Sequence, residues 1–486
     1  MNTSPLRGVP MSTVAAITTD LAQILQAQQA ATRAAGAPTA EQRRERIQQV
    51  IDLLVANHKD LTEAMNEDFG GRLPAYSVMN DVLGSMVSLK HVRDSLEEWM
   101  IRSPRTTGEL QDQLGATAYV TYQPKGSIGI IGTWNAPLFT LLSPLACALG
   151  AGNRAILKPS EIVPNTAAVL AEAAARHLDP LEIAVVTGGP DVADHLTSLP
   201  FDHLVFTGST TVGKLVMANA AKNLVPVTLE LGGKSPSVLG KSADFDEAAY
   251  RLAIAKSTNS GQLCVSPDLI YVPRASTERF INAFTNSFTG LFPTVADNTD
   301  MVSIVSDRHL ARIEGYIADA ADRGARIITV PNEELSSETR RRPLRIVVDP
   351  PADAEIMKEE IFGPAVVVLP YDEMDAVVAD INSRPKPLAL YYFGTDLDEK
   401  ESVLDRTNSG GVTINDAMSH PGLNDAPFGG VGASGIGHYH GREGFLEFSH
   451  ARSVFEAAEH DPRGEWGMLP PYGDGFAQMM TAQVTP

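Results

Sequence analysis

Ser127-Ile128-Gly129-Ile130-Ile131-Gly132, followed by Thr133-Trp134-Asn135-Ala136-Pro137, decides the fold. The first six residues carry no charge and do not alternate, the signature of a strand buried on both faces of a parallel sheet. The next five form a turn, and 138–149 reads as an apolar helix. The uncharged run from Gly126 to Asn153 is 28 residues long and imitates a membrane span. Asn135, Pro137, Pro144 and several glycines interrupt it, so a buried strand, a turn and a buried helix account for it better.

Working outward, the period keeps alternating. Strands are expected at 155–157, 183–186, 203–207 and 225–231, with helices at 166–177 and 192–196 and after 208–213. That order argues for a parallel sheet covered by helices on both faces. Ahead of it lie helices at 19–35, 40–66 and 76–100 and an alternating strand at 118–122. Beyond it, a helix at 246–257 leads to Asn259-Ser260-Gly261-Gln262-Leu263-Cys264. Strands at 269–272, 326–330, 344–348, 366–369 and 389–393, with helices at 307–322, 375–381 and 397–406, make a second α/β domain. Glycine is dense from His420 onward, and the last 25 or so residues read as an irregular polar tail.

Composition narrows the class. A chain of 486 residues needs more than one core. Hydrophobic residues at 43% and charged residues at 20% fit an ordinary soluble protein. A formal charge of −20 argues against nucleic acid or anionic membrane as partner. The two cysteines, Cys147 and Cys264, make no disulfide framework and suit a reducing cytoplasm. No signal peptide is legible, and Met11 offers an alternative start that would make the first ten residues a tail.

Several residues are candidates for chemistry, each with a plainer alternative. Cys264, on a glycine-containing turn between helix and strand, is either a nucleophile or a small buried apolar residue. Asn135 can offer an amide to an oxyanion or satisfy its own turn. Glu230 closes a buried strand before Leu231-Gly232-Gly233-Lys234; it is a general base or a carboxylate paired with Lys234 or a backbone N–H. Gly208 to Gly213 follows a strand and opens a helix, where a nucleotide phosphate can sit, though it is not a GxGxxG fingerprint and a tight turn also explains it. Lys158 and Glu161 follow another strand end, where a doubly wound sheet holds ribose or where surface charge is ordinary. The 11 histidines form no metal motif, so no metal is expected.

Taken together, these stretches resemble the aldehyde dehydrogenase superfamily. The residues are Thr133-Trp134-Asn135, Leu157-Lys158-Pro159-Ser160-Glu161, Phe206-Thr207-Gly208-Ser209, Glu230-Leu231-Gly232-Gly233-Lys234, Gly261-Gln262-Leu263-Cys264, Glu359-Glu360-Ile361-Phe362-Gly363-Pro364 and Pro427-Phe428-Gly429-Gly430, in family order. Pro226 to Glu230, the compact N-terminus and the ending from Phe428 to His450 look like the class 3 branch, and there like bacterial coniferyl aldehyde dehydrogenases.

The resemblance implies roles. Cys264 matches the nucleophile, Asn135 the oxyanion amide and Glu230 the base that activates water. Lys158 and Glu161 match the adenosine-ribose contacts, and Gly208, Ser209 and Gly213 the turn near the pyrophosphate. Glu360 matches the carboxylate on the nicotinamide ribose, with Phe362 and Trp134 beside it. The implied fold is two doubly wound parallel-sheet domains with a small β arm for oligomerisation. Cofactor residues would be 1–114 and 126–232, catalytic residues 233–415, the arm 115–125 and 416–458, and the tail 459–486. The implied reaction is oxidation of a hydrophobic, aromatic aldehyde to its acid with NAD, NADP also being accepted; a medium-chain aliphatic aldehyde is the alternative, and a non-catalytic nucleotide binder the alternative of another class. Glu230 favours hydrolysis, since relatives that transfer the acyl group to coenzyme A lack it. Tyr122, Trp134, Leu138 and Phe428 are candidate pocket residues by position. Leu263 departs from the threonine many relatives carry there. A soluble cytoplasmic homodimer is expected.

Overall fold

The structure is a computed structural model. It describes residues 11–486 except 335, 474 and 485, with side chains from residue 21 onward. Residues 1–10, read above as a tail, lie outside the described residues. The chain divides into two compact units: one runs to Trp99 and includes Pro124–Ser449, the other comprises Met100–Gln123 and His450–Pro486.

The larger unit holds two sheets. In the first the strand order is Gly435–Ile436, Val227–Glu230, His203–Thr207, Ser127–Ile131, Arg154–Lys158, Ile183–Val185. All neighbours are parallel except the first pair. Every residue of Ser127–Ile131 is buried, as its uncharged composition requires. From this strand the chain moves outward to Arg154–Lys158 and Ile183–Val185, then crosses back to His203–Thr207 on the other side. The order reverses between Ser127–Ile131 and His203–Thr207, and a crevice opens beyond their carboxyl ends, the place where doubly wound sheets bind ligands. Phe139–Gly150 is the buried helix that completes the uncharged run.

The second sheet runs Arg326–Val330, Leu344–Val348, Ala365–Tyr371, Leu269–Pro273, Pro236–Leu239, Ala389–Phe393, Gly411–Ile414, again parallel except for the first pair. Ile313 and Ile317 of the helix Asp307–Asp322 pack on its core with Val347, Val367 and Leu390. The strands Pro236–Leu239 and Gly411–Ile414 are not foreseen from the sequence. Nor is the helix Thr277–Leu291, whose Phe280, Phe284 and Phe288 are fully buried at helical spacing.

Three expectations are corrected. The helix foreseen at 76–100 is interrupted: Pro74–Ser77 runs into a π-helical turn, Val78–Leu83, before Gly84–Trp99. The arm boundaries also shift. Ser103–Arg105 pairs antiparallel with Thr117–Pro124 in a three-stranded sheet completed by Ser449–Glu456. Residues 416–449 instead belong to the larger unit. There Gly435 and Ile436 add to the edge of Val227–Glu230, where a side chain on Gly435 would come within 2.3 Å of the Leu229 carbonyl. Finally, the tail is not wholly irregular: Phe476–Ala482 is a short helix, with the Tyr472 and Phe476 rings stacked at 4.4 Å. Among the described residues no helix is long and apolar enough to cross a membrane.

Candidate active site

The loop carrying Cys264 is shaped by its backbone. The helix Phe245–Ser257 ends, and Asn259, Ser260 and Gly261 follow with φ of 50°, 54° and 72°. Three consecutive left-handed residues turn the chain sharply and cost free energy at the two that are not glycine. A side chain on Gly261 would lie 2.3 Å from the Gly363 carbonyl oxygen, so the third must be glycine. Side-chain hydrogen bonds hold the turn. The fully buried Gln262 donates to the carbonyls of Asn259 (3.0 Å) and Ser303 (3.1 Å) and accepts from the Val305 N–H (3.0 Å). Ser260 donates to the Val302 carbonyl. Beyond this turn the half-buried Cys264 faces a cavity.

That cavity measures about 610 Å³ and brings Cys264, Asn135 and Glu230 together. Asn135 donates its side-chain amide to the Gln262 carbonyl at 3.0 Å, bridging to the cysteine loop rather than to its own turn. An amide nitrogen has two hydrogens, so one remains for the cavity. Glu230 is 2% exposed, and neither of its carboxylate oxygens has a hydrogen-bond partner. Lys234 is not its partner: that ammonium pairs with Asp268 and donates to the carbonyls of Ile356 (2.7 Å) and Glu359 (2.8 Å). Burial, reinforced by Glu447, raises Glu230 well above the usual carboxylate range. Burial, with Glu360 and Glu230 nearby, pushes the Cys264 thiol up to about 12, so it rests protonated. Cys147 is also pushed up to about 12, by burial, but it is 1% exposed and lines neither cavity.

A second cavity of about 790 Å³ occupies the crevice of the first sheet, lined by Lys158, Glu161, Gly208 and Ser209 among others. Thr133, Trp134, Thr207, Gly208, Ser209, His309 and Arg312 line both cavities. Lys158 is no surface charge: it is 1% exposed and its ammonium meets Glu161 at 3.0 Å. Ser209 caps the helix Thr210–Ala221, accepting from the Val212 N–H at 3.4 Å. These features fit a dinucleotide: a buried cation paired with an exposed carboxylate at a strand end, a helix N-terminus, and a glycine where a side chain would strike Phe206 at 2.5 Å. Glu360, pushed up to about 8 by burial and Asp268, and Phe362 line the smaller cavity. The Trp134 ring meets Phe362 at 5.4 Å and His309 at 4.8 Å, edge to face.

Other expected residues fall elsewhere. Phe428 lines the smaller cavity, but Leu138 is fully buried at the start of its helix, and Tyr122 lies on Thr117–Pro124 and lines neither cavity. Gly213 also lines neither; it faces Leu231, so its place is in helix-on-sheet packing. Met79, Tyr316, Met418 and Tyr439 on the smaller cavity, and His309 and Arg312 on both, are not foreseen from the sequence. Arg312 donates to the carbonyls of Glu360 (3.0 Å) and Ile361 (2.9 Å). A helical face running from His309 to Arg312 to Tyr316 was the available signal, but a helix pattern alone does not say what faces it.

A cysteine, a side-chain amide and a buried carboxylate thus share one cavity beside a crevice whose lining fits a dinucleotide, a set of groups suited to an oxidoreductase. The chain belongs to the aldehyde dehydrogenase family, whose pattern matches residues 2–454. It is 44% identical to the "Probable coniferyl aldehyde dehydrogenase" of Caulobacter vibrioides over 465 residues, 95% of this chain and 96% of that one. Among solved structures it is similar to the substrate-bound state of Staphylococcus aureus AldH, with a TM-score of 0.89, 31% identity, and 95% of this chain and 99% of that one covered. It is similar also to Mycobacterium tuberculosis aldehyde dehydrogenase complexed with NAD+, with a TM-score of 0.82, 29% identity and 91% of each chain covered. The protein is an NAD(P)-dependent aldehyde dehydrogenase.

Proposed function

We propose that the protein oxidises a hydrophobic aromatic aldehyde of the coniferaldehyde type to its carboxylic acid, with Cys264 as nucleophile, Asn135 as oxyanion donor and Glu230 as the base for hydrolysis. The observation that carries this reading is the convergence of those three groups on one cavity walled by Met79, Phe139, Leu263, Tyr316, Met418 and Phe428. The name of the Caulobacter relative supports the substrate class.

Cys264 gives its proton to water in the cavity as its sulfur bonds to the aldehyde carbon, while the carbonyl electrons move to oxygen. The free hydrogen of the Asn135 amide and the backbone N–H of Cys264 receive that oxyanion. When bound, NAD+ supplies the acceptor for the hydride that leaves the thiohemiacetal carbon. Lys158 and Glu161 would hold its adenosine ribose, Gly208 and Ser209 its pyrophosphate, and Glu360 with Phe362 its nicotinamide half. The resulting thioester sits beside Glu230, which takes a proton from water as the water oxygen bonds to the acyl carbon. The carbon–sulfur bond then breaks, returning the thiolate and releasing the acid. Glu161 would accept from a free 2′-hydroxyl and repel a 2′-phosphate, which supports NAD over NADP. A homodimer joined through the strand arm, working in the cytoplasm, completes the proposal; sedimentation tests the dimer.

Steady-state kinetics with coniferaldehyde, benzaldehyde and hexanal, followed by reduced-cofactor absorbance, test the substrate class. Coniferaldehyde is expected to give the highest kcat/KM. Hexanal preferred by more than tenfold would replace the aromatic reading with an aliphatic one.

A further inference from the structure

Two residues outside this chemistry converge on Asn135. Arg72 and Asp81 are both 0% exposed, and Arg72 Nη2 donates to Asp81 Oδ2 at 2.5 Å. Arg72 Nη1 donates to the main-chain carbonyl of Asn135 at 3.3 Å. Asp81 Oδ1 accepts from the backbone N–H groups of Leu138 (3.1 Å) and Phe139 (3.5 Å). One buried ion pair therefore brackets the turn at both ends. The π-helical turn Val78–Leu83 carries Asp81; such turns frequently lie at functional sites. Asp81 Oδ2 also accepts from Asn80 Nδ2 at 3.1 Å, and Asn80 lines the smaller cavity.

Stability alone is a poor reason to keep such a pair. Desolvating two charges offsets much of their attraction, and apolar replacements are often as stable. Arg72 Nε is also buried without a partner. What the pair supplies is geometry: the planar guanidinium, lying 4.8 Å from the Phe69 ring and 5.1 Å from that of Tyr76, fixes the direction of its donors.

We propose that Arg72 and Asp81 are positioning residues that hold the Asn135 amide in register with the oxyanion. The inference rests on the reading of Asn135 given above. The test is a double-mutant cycle. Arg72→Lys keeps the charge but loses the fork; Asp81→Asn keeps an acceptor for Leu138 and Phe139 but loses the charge. Each is expected to lower kcat at least tenfold, with NAD affinity and aldehyde KM changed less than threefold. In an Asn135→Ala background the same substitutions should lower kcat less than threefold further. Equal losses in both backgrounds, or no loss with Asn135 intact, would overturn the inference. If the single variants fold poorly, the apolar pair Arg72→Met with Asp81→Leu is put through the same cycle and judged by the same limits. Should Asn135→Ala itself leave kcat unchanged, the oxyanion reading falls and this inference with it; a large Asn135→Ala loss with additive Arg72→Lys overturns this inference alone.

Discussion

Asn135 and Gln262 are 127 residues apart in the chain and 3.0 Å apart in space, the side-chain amide of the first donating to the main-chain carbonyl of the second. Asn259 reinforces the link, donating to both carbonyls, Asn135 at 3.1 Å and Gln262 at 3.2 Å. The amide proposed for the oxyanion is thus fastened to the loop that presents the thiol. Asn135→Ala is expected to lower kcat by roughly 10²–10³-fold, the usual effect of removing one oxyanion donor. Asn259 still bridges the loops, so the apparent Tm should move by only a few degrees. A loss in kcat below threefold would remove Asn135 from the chemistry.

Glu230→Gln separates the two halves of the reaction. Acylation of Cys264 does not need the carboxylate, but water activation does. One equivalent of reduced cofactor per site is expected in a burst, followed by a steady state slowed by roughly 10²-fold or more. Rapid mixing with coniferaldehyde reads both phases. Undiminished steady-state turnover would assign the base elsewhere.

The same substitution carries a pH signature in stability. Burial and Glu447 raise the folded-state pKa of Glu230, so the unfolded chain releases this proton at lower pH. The neutral carboxyl is no burden below the unfolded pKa. As pH rises toward and through the folded pKa, stability is lost. Glu230→Gln, which cannot ionise, should therefore melt higher than the parent at pH 8, by roughly 2–4 °C, with the gap closing toward pH 4. Scanning calorimetry across that range decides it; a gap that widens in acid contradicts the assigned shift.

Gly261→Ala tests the cysteine loop. The left-handed φ of 72° and the 2.3 Å approach to the Gly363 carbonyl leave no room for a methyl group. A loss of roughly 2–4 kcal/mol in stability is expected, at the upper end of single-substitution effects. Chemical denaturation measures it, and turnover should fall as Cys264 leaves its place. A neutral result would mean the turn relaxes without cost.

Glu161→Gln addresses the cofactor. Removing the charge beside Lys158 should raise kcat/KM for NADP relative to NAD by roughly tenfold, the effect of about 1.4 kcal/mol. An unchanged ratio would place the discrimination outside this pair.

Much of this was legible from residues one to six positions apart. The uncharged run at Ser127–Ile131 announced a buried parallel strand because burial on both faces leaves no polar side of the strand to show. The motif residues Cys264, Asn135 and Glu230 could be singled out because each ends an element or sits in a turn. The misses share a cause. Arg72 and Asp81 look like loop and helix charges, and their meeting depends on a π-turn that periodicity does not encode. Tyr122 and Leu138 were placed near the pocket by their neighbours in sequence, but strand and helix geometry sends one to the three-stranded sheet and the other into the core. The glycines of 429–437 are legible in the sequence only as a dense run, yet they press a returning strand against the edge that ends in Glu230.

The wall common to the two cavities divides the molecule's freedom to diverge. Met79, Phe139, Met418 and Phe428 border only the smaller space, so with the proposed aldehyde there, its range should be open to retuning without disturbing the larger crevice. Trp134 and His309 border both, and any exchange at either is felt twice. Selection for a new aldehyde should therefore find its variants on the π-turn and the glycine-rich return, and leave the tryptophan alone.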